Sequence, residues 1–266
     1  MATESVLFAV ERGVATITLN RPERKNAIDD EMRGALLAHL TAVGEEPSIR
    51  AAVLTGAGDG FCPGADLWAG TGRASEDPPH PGMPRRKMKQ NSQRLIRTLL
   101  ELEKPIIAAV NGVAAGMGAH LAFACDLVVA AEEARFIEVF ARRGLAVDAG
   151  GAFLLTRLLG LQKAKELVFF GDALSAAEAL RIGLVNRVVP RTELAAAARE
   201  WGERLAAGPT FALGLSKRLL NRALDGDLET CLEEEAFAQT LVAASEDAKE
   251  GVAAFAERRP PRFTGR

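Results

Sequence analysis

The chain contains no tyrosine, and its 266 residues include only three histidines and three cysteines. No phenol is therefore available as an acid, a base or a hydrogen-bond donor. Cys62, Cys125 and Cys231 form no CxxC pair, and an odd number of thiols points away from a disulfide framework and toward a reducing compartment. His39, His80 and His120 never fall at ligand spacing, which argues against a metal centre. Net charge is −2 with both signs spread along the chain, so there is no basic footprint for nucleic acid or for an anionic membrane surface. Long apolar runs are missing too: Ala119 to Ala131 is interrupted by Asp126 and falls short of a bilayer span. The opening Met-Ala-Thr-Glu-Ser has neither the basic nor the apolar region of a signal peptide. A cytoplasmic protein is expected. Also absent are a P-loop, a GxGxxG following a strand and a Gly-x-Ser-x-Gly elbow.

What is present is an apolar strand that runs through a glycine turn into a helix, Lys104-Pro-Ile-Ile-Ala-Ala-Val-Asn-Gly-Val-Ala-Ala-Gly-Met-Gly-Ala-His-Leu121. Ile106, Ile107 and Val110 suit a buried strand, Gly116 and Gly118 permit a tight turn, and the helix is expected to begin at His120. The first N–H groups of a helix have no partner within it, so such a turn can aim bare donors at a developing oxyanion. A second turn of the same kind is Phe61-Cys-Pro-Gly-Ala-Asp-Leu67, after the strand-like stretch ending at Thr55 and a loop with Gly56, Gly58 and Gly60. Two donors from separate turns would complete an oxyanion hole.

The rest of the chain alternates strand and helix. Val6 to Val10 and Val14 to Leu19 read as a hairpin about Glu11-Arg12-Gly13, and Ile28 to Val43 as an amphipathic helix with Asp29, Asp30 and Glu31 at its positive end. Gly70 to Pro84 is dense in glycine and proline with no apolar period, which fits a surface loop or a lid. Arg85, Arg86, Lys87 and Lys89 then start a helix, as a solvated face or as partners for phosphate. From Arg191 to Glu257 the chain is helical in composition and carries no catalytic motif.

With these motifs the chain resembles the enoyl-CoA hydratase/isomerase (crotonase) superfamily. The resemblance rests on Ile17 to Ala27, Val53 to Gly58, Phe61 to Leu67, Lys104 to Asp126, Gly144 to Gly160 and Leu174 to Asn186, in the family's order. It implies an α/β fold, a crotonase (ClpP-like) spiral of β-β-α units with a C-terminal helical trimerisation region. Residues 1–190 would be the core carrying the CoA-binding and catalytic site, and 191–266 the oligomerisation region of a homotrimer or homohexamer. It also implies an acyl-CoA substrate, with coenzyme A as part of that substrate and no separate cofactor. By the same resemblance the oxyanion donors are the backbone N–H groups of Ala65 and Met117. Residues lining the CoA groove would be Arg24, Asn26, Ala27, Ala65, Asp66, Leu67, Gly116, Phe140 and Phe263, the last near the CoA of an adjacent subunit or simply an apolar anchor.

The acids depart from the hydratase pattern. A typical hydratase has glutamates at the positions held here by His120 and Phe140, and uses both to add water. This chain instead has Asp148, at a position that is acidic in several superfamily isomerases, and Phe140 to Asp148 is similar to the epoxyphenylacetyl-CoA isomerase branch. One carboxylate can take a proton from one carbon of a dienolate and return it to another. Asp148 also reads as the N-cap of a helix beginning at Ala149, and a carboxylate saturated by N–H donors is a poor base. Glu138 is a second candidate acid or else a solvated residue, and His120 either meets the substrate or fills core volume. The expectation is an isomerase with Asp148 as proton shuttle. Alternatives are a hydratase using His120 and Asp148, an aryl-CoA dehalogenase-like enzyme with Asp148 as nucleophile, and a non-catalytic acyl-CoA-binding protein.

Overall fold

The computed structural model describes residues 4–66 and 80–266. Leu67 and residues 70–79 of the glycine- and proline-rich segment lie outside the described residues.

The hairpin forms as its pattern predicts. Strands β1 (Val6–Glu11) and β2 (Val14–Leu19) pair antiparallel about a two-residue turn, with Glu11 opposite Val14. Arg12 and Gly13 both take positive φ, 50° and 77°, as a turn matching the right-handed twist of its strands requires. Helix α1 (Asp30–Glu45) follows, two residues later than the apolar pattern suggests. Asp29 is its N-cap, accepting the Met32 N–H at 2.8 Å.

Strands β3 (Ala51–Gly56), β4 (Ile106–Val110), β6 (Leu127–Ala131) and β9 (Arg187–Val189) then add in parallel, giving a six-stranded sheet in the order β1-β2-β3-β4-β6-β9. A smaller sheet is built from β5 (Val113–Ala115), β7 (Arg135–Ile137) and β8 (Leu174–Ser175). These strands are apolar on both faces because helices cover both. Ala52, Leu54, Ile106, Ala108 and Val128 point inward, where Met32, Leu36 and Leu40 of α1 and Leu95 and Leu99 of α3 (Ser92–Glu101) pack on them. The alternate residues Ala51, Val53, Ile107 and Val129 point outward beneath Leu194, Ala197 and Ala198 of α7 (Leu194–Ala206). Helix α7 is thus a layer of the core rather than an appendage to it. Beyond it, α8 (Thr210–Ala223) is tied back by Lys217, whose Nζ reaches Asp126 at 3.0 Å, and α9 (Leu228–Ala243) and α10 (Glu246–Glu257) complete the chain. No helix among the described residues is long and apolar enough to cross a membrane.

Asn26 fastens the turn between β2 and α1 to the loop after β3. It is fully buried; its Oδ1 accepts the Arg21 N–H at 2.9 Å, and its Nδ2 donates to the carbonyls of Ala57 (2.9 Å) and Gly60 (2.8 Å). Replacing the donor amide by a second acceptor turns two bonds into repulsions. Asn26→Asp is therefore expected to cost about 2–4 kcal/mol of stability, read as a lowered midpoint in urea unfolding; an unchanged midpoint would contradict this role.

Candidate active site

Two turns meet where β5 begins its pairing. The Phe61 and Cys62 N–H groups both donate to the Val113 carbonyl, at 3.1 and 3.0 Å, and Ala115 N–H returns a bond to the Cys62 carbonyl at 2.9 Å. Ile28 lies beside Ala65 in a parallel bridge: Ile28 N–H donates to Gly64 O and Asp66 N–H to Ile28 O, each at 2.9 Å. Because bonds to one neighbour alternate along an extended segment, the Ala65 N–H faces away from Ile28.

On that other side stands the start of α4 (Met117–Phe123), which begins three residues earlier than the sequence suggests. Gly116 has φ 51° and ψ −124°, a backbone region only glycine occupies readily, and it turns β5 sharply into the helix. Gly118 has no room for a side chain: a Cβ there would sit 2.0 Å from the Cys62 carbonyl oxygen. The position a Gly64 Cβ would take is 3.6 Å from the Met117 nitrogen, so the two turns are in van der Waals contact. Among the described residues neither the Ala65 nor the Met117 N–H donates a hydrogen bond. Two unpaired donors at one junction are what a thioester enolate oxygen requires. The neighbouring Cys62 is no nucleophile, since burial pushes its thiol up to about 12.

The titratable residues gather behind this junction. His120, fully buried on α4, places Nε2 3.0 and 3.2 Å from the two carboxylate oxygens of Glu138, itself only 4% exposed at the end of β7. Glu138 is therefore not solvated. Phe140 stacks on the His120 ring, with centroids 5.6 Å apart and planes 9° from parallel. The same Nε2–Cε1 edge of the imidazole abuts Gly151, where a Cβ would lie 2.3 Å from both Cε1 and Nε2. That contact brings the loop bearing Asp148 against His120.

Asp148 does not cap a helix. Helix α5 (Gly151–Phe170) starts two residues later than expected, Gly150 is its N-cap, and no side chain bonds its first turn. The Asp148 main-chain carbonyl, not its carboxylate, accepts the Gly151 N–H, at 2.9 Å. Ala149 and Gly150 both adopt positive φ, 44° and 78°, which turns the chain before the helix begins. The carboxylate, half-buried, is held above the ordinary carboxylate range mainly by its burial. A charge on His120 would pull it down and the Glu138 carboxylate pushes it up.

The CoA-side residues divide. Arg24 is exposed beside the Asn26 turn and Ala27 is buried within it, while the side chain of Asn26 is consumed by backbone carbonyls. Asp66 adjoins the Ala65 donor and is bound to Arg21 at 3.1 Å, an arginine that also holds Asp29 and the Ala27 carbonyl and that nothing in the sequence singles out. Gly116 and Phe140 lie at the junction. Phe263 does not: its ring packs on Gly251 of α10 and its carbonyl accepts from Arg50 at 3.0 Å. The cations of α2 (Met83–Gln90) are exposed. No cluster of three metal-ligating side chains exists among the described residues.

Gly118→Ala must drive the two turns apart. It is expected to reduce turnover by about 10²–10³-fold, the loss typical of one oxyanion donor. Gly34→Ala, on α1 with open space around it, is expected to keep activity and gain about 0.5–1 kcal/mol of stability. Equal kinetics for the two variants would contradict the role given to the junction.

Residues 9–266 match the family described as enoyl-CoA hydratase/isomerase. The chain is 43% identical, over 99% of each sequence, to the 1,2-epoxyphenylacetyl-CoA isomerase of Escherichia coli K12. It is 36% identical, over 97% of each, to the short-chain-enoyl-CoA hydratase of Clostridium acetobutylicum. Among solved structures, the enoyl-CoA hydratase from Bacillus anthracis superposes with a TM-score of 0.91 at 34% identity, covering 98% of this chain and 100% of that one. The crotonase spiral is thus that of a known enzyme fold, and the chain belongs to the enoyl-CoA hydratase/isomerase family.

Proposed function

We propose that the enzyme is a double-bond isomerase of acyl-CoA thioesters, shifting a 3-enoyl-CoA to a 2-enoyl-CoA or rearranging a related unsaturated or cyclic acyl-CoA, with Asp148 as its proton shuttle. The observation that carries this reading is the state of the carboxylate: half-buried, free of capping bonds, raised in proton affinity, and borne on the loop that abuts His120 of α4, the helix that begins at Met117.

In this reading the thioester oxygen accepts from the N–H groups of Ala65 and Met117. Asp148 takes a proton from C2, the electron pair delocalises into a dienolate, and the negative charge rests on the bound oxygen. The protonated Asp148 then delivers the same proton to C4, the carbonyl re-forms, and the double bond lies between C2 and C3. A carboxyl group raised by burial suits both halves, because it accepts a proton more readily than an exposed aspartate and holds it long enough to return it. Arg24, Lys25 and the cations of α2 are exposed and supply charge for the phosphates of CoA. Exposed apolar side chains on the C-terminal helices, among them Leu220, Leu224, Leu228, Phe237 and Phe255, support self-association into a homotrimer or homohexamer through that region. The 43% identity to a relative named as an acyl-CoA isomerase supports an isomerase reading here.

One observation favours a second reading. Asp148 feels the charge of Glu138, so two carboxylates flank His120, and hydration ordinarily uses two. The readings separate in deuterated water. Wild type is expected to convert a short 3-enoyl-CoA to its 2-enoyl isomer, and Asp148→Asn to lose that conversion by about 10²–10⁴-fold. Hydration of a 2-enoyl-CoA without isomerisation of the 3-enoyl substrate would instead establish the hydratase.

The elevated carboxyl also sets two pH effects. The base must be ionised, so kcat/KM is expected to fall as pH drops through the raised Asp148 titration, and that acid limb disappears with the residue. For stability the sign is opposite. A carboxyl raised in the folded state stabilises fully below its unfolded pKa, and that contribution is lost as pH rises through the folded value. Asp148→Asn is therefore expected to raise Tm at neutral pH by about 1–3 °C and to gain nothing at strongly acid pH. A lower neutral Tm would contradict the burial argument.

A further inference from the structure

His120 uses one ring nitrogen and leaves the other alone. Nε2 faces the Glu138 carboxylate, whereas Nδ1 is enclosed by protein and has no hydrogen-bond partner among the described residues. With Glu138 ionised, three protonation patterns of the ring compete, and this geometry separates them. An imidazolium would pair with the carboxylate but bury a charged Nδ1–H with no acceptor. The Nδ1–H tautomer would turn the Nε2 lone pair onto a carboxylate and also strand a donor. Only the neutral Nε2–H tautomer donates to Glu138 and leaves at Nδ1 nothing worse than a bare lone pair.

The ring so held has mechanical consequences. Its edge fills the space that a Gly151 side chain would need, and its face stacks on Phe140. Gly151 follows the left-handed pair Ala149 and Gly150, a strained bend that persists only where its surroundings dictate it. The imidazole is one wall of that bend, Ile96 of α3 another, 2.9 Å from where a Gly150 Cβ would sit.

We propose that Glu138 is a positioning residue: it locks His120 as the neutral Nε2–H tautomer, and the dyad, carrying one buried negative charge, sets both the placement of the Asp148 loop and the charge against which Asp148 titrates. This rests on Asp148 being the proton carrier for its catalytic meaning, but its physical content does not. The groups whose charge reaches Asp148 are His120 from α4 and Glu138 from the end of β7. Of the other elements nearby, α3 presents apolar Ile96 and keeps Arg94 and Arg97 exposed. The turn at Ala141–Arg143 directs Arg142 outward to Asp172 at 2.9 Å and leaves Arg143 exposed. With His120 neutral, the dyad's net charge is that of Glu138 alone.

The first test needs no variant. In wild-type enzyme labelled with ¹⁵N at histidine, His120 is expected to report a protonated Nε2 and an unprotonated Nδ1 across neutral pH; an imidazolium or an Nδ1–H signal would overturn the proposal. The second follows the ¹³C signal of the Asp148 carboxyl in wild type and Glu138→Gln. Glutamine keeps an acceptor for Nε2–H and removes the charge, so the Asp148 midpoint is expected to move to lower pH. The acid limb of kcat/KM should move with it while KM holds. An unmoved midpoint would overturn the electrostatic claim. Glu138→Ala removes the acceptor as well, and kcat is expected to fall by about 10–100-fold, as with other partners that orient a functional imidazole, with Glu138→Gln recovering most of it. Equal kcat for Ala and Gln would overturn the positioning claim. The two readings fail separately: Asp148→Asn with full turnover removes the isomerase, whereas the NMR titrations decide the dyad whatever the reaction.

Discussion

Everything at the active site depends on one close approach, the contact of the Gly116–Gly118 turn with the Cys62–Ala65 turn. The carbonyl and Cβ of Cys62 occupy the space where a methyl group on Gly118 would have to go. Hydrogen bonds from Phe61, Cys62 and Ala115 close the contact from both sides, and β3, β4 and β5 deliver the two segments to it. Since each proposed donor belongs to the main chain, the side chain at Met117 is left to pack in the core, and the junction is as rigid as the sheets that carry it. Preorganised donors of this kind act without reorganising as charge develops.

Around the junction the chain sorts polar groups by task. Asn26 and Arg21 spend their hydrogen bonds on backbone and carboxylates that hold the loops in place. His120 and Glu138 bind each other in the interior through Nε2 alone. Asp148 is spared any such duty, and a carboxylate kept half-buried without compensating donors is a cost to stability that makes sense at a reactive centre. Phe140, standing where hydratases carry a second glutamate, closes the face of His120 against water.

Much of this is readable in the sequence and some is not. Continuous apolar runs such as Ile106–Val110 announce buried strands, and the glycine pairs announce the turns, because apolar runs and glycine are local signals. The start of α5 is misread from sequence because Asp148-Ala149 resembles a cap and first turn. The left-handed conformation of Ala149 is imposed by contacts with distant residues and leaves no local mark. The His120–Glu138 pair is hidden for a similar reason: α4 and β7 come together only through the small sheet, in which β5 pairs with β7. Phe263, read equally as a CoA neighbour and an anchor, packs within its own chain on Gly251, through a C-terminal segment pinned by Asp247 and Arg50.

The central claim is that one carboxylate serves both carbons beside a two-donor hole. A crystal structure of the enzyme with a saturated, unreactive acyl-CoA tests it directly. The account predicts the thioester oxygen within about 2.7–3.1 Å of both the Ala65 and Met117 nitrogens, and the Asp148 carboxylate within about 3–3.5 Å of C2 and close to C4. A thioester bound elsewhere, or Asp148 turned away from the acyl chain with Glu138 or His120 in its place, would contradict it.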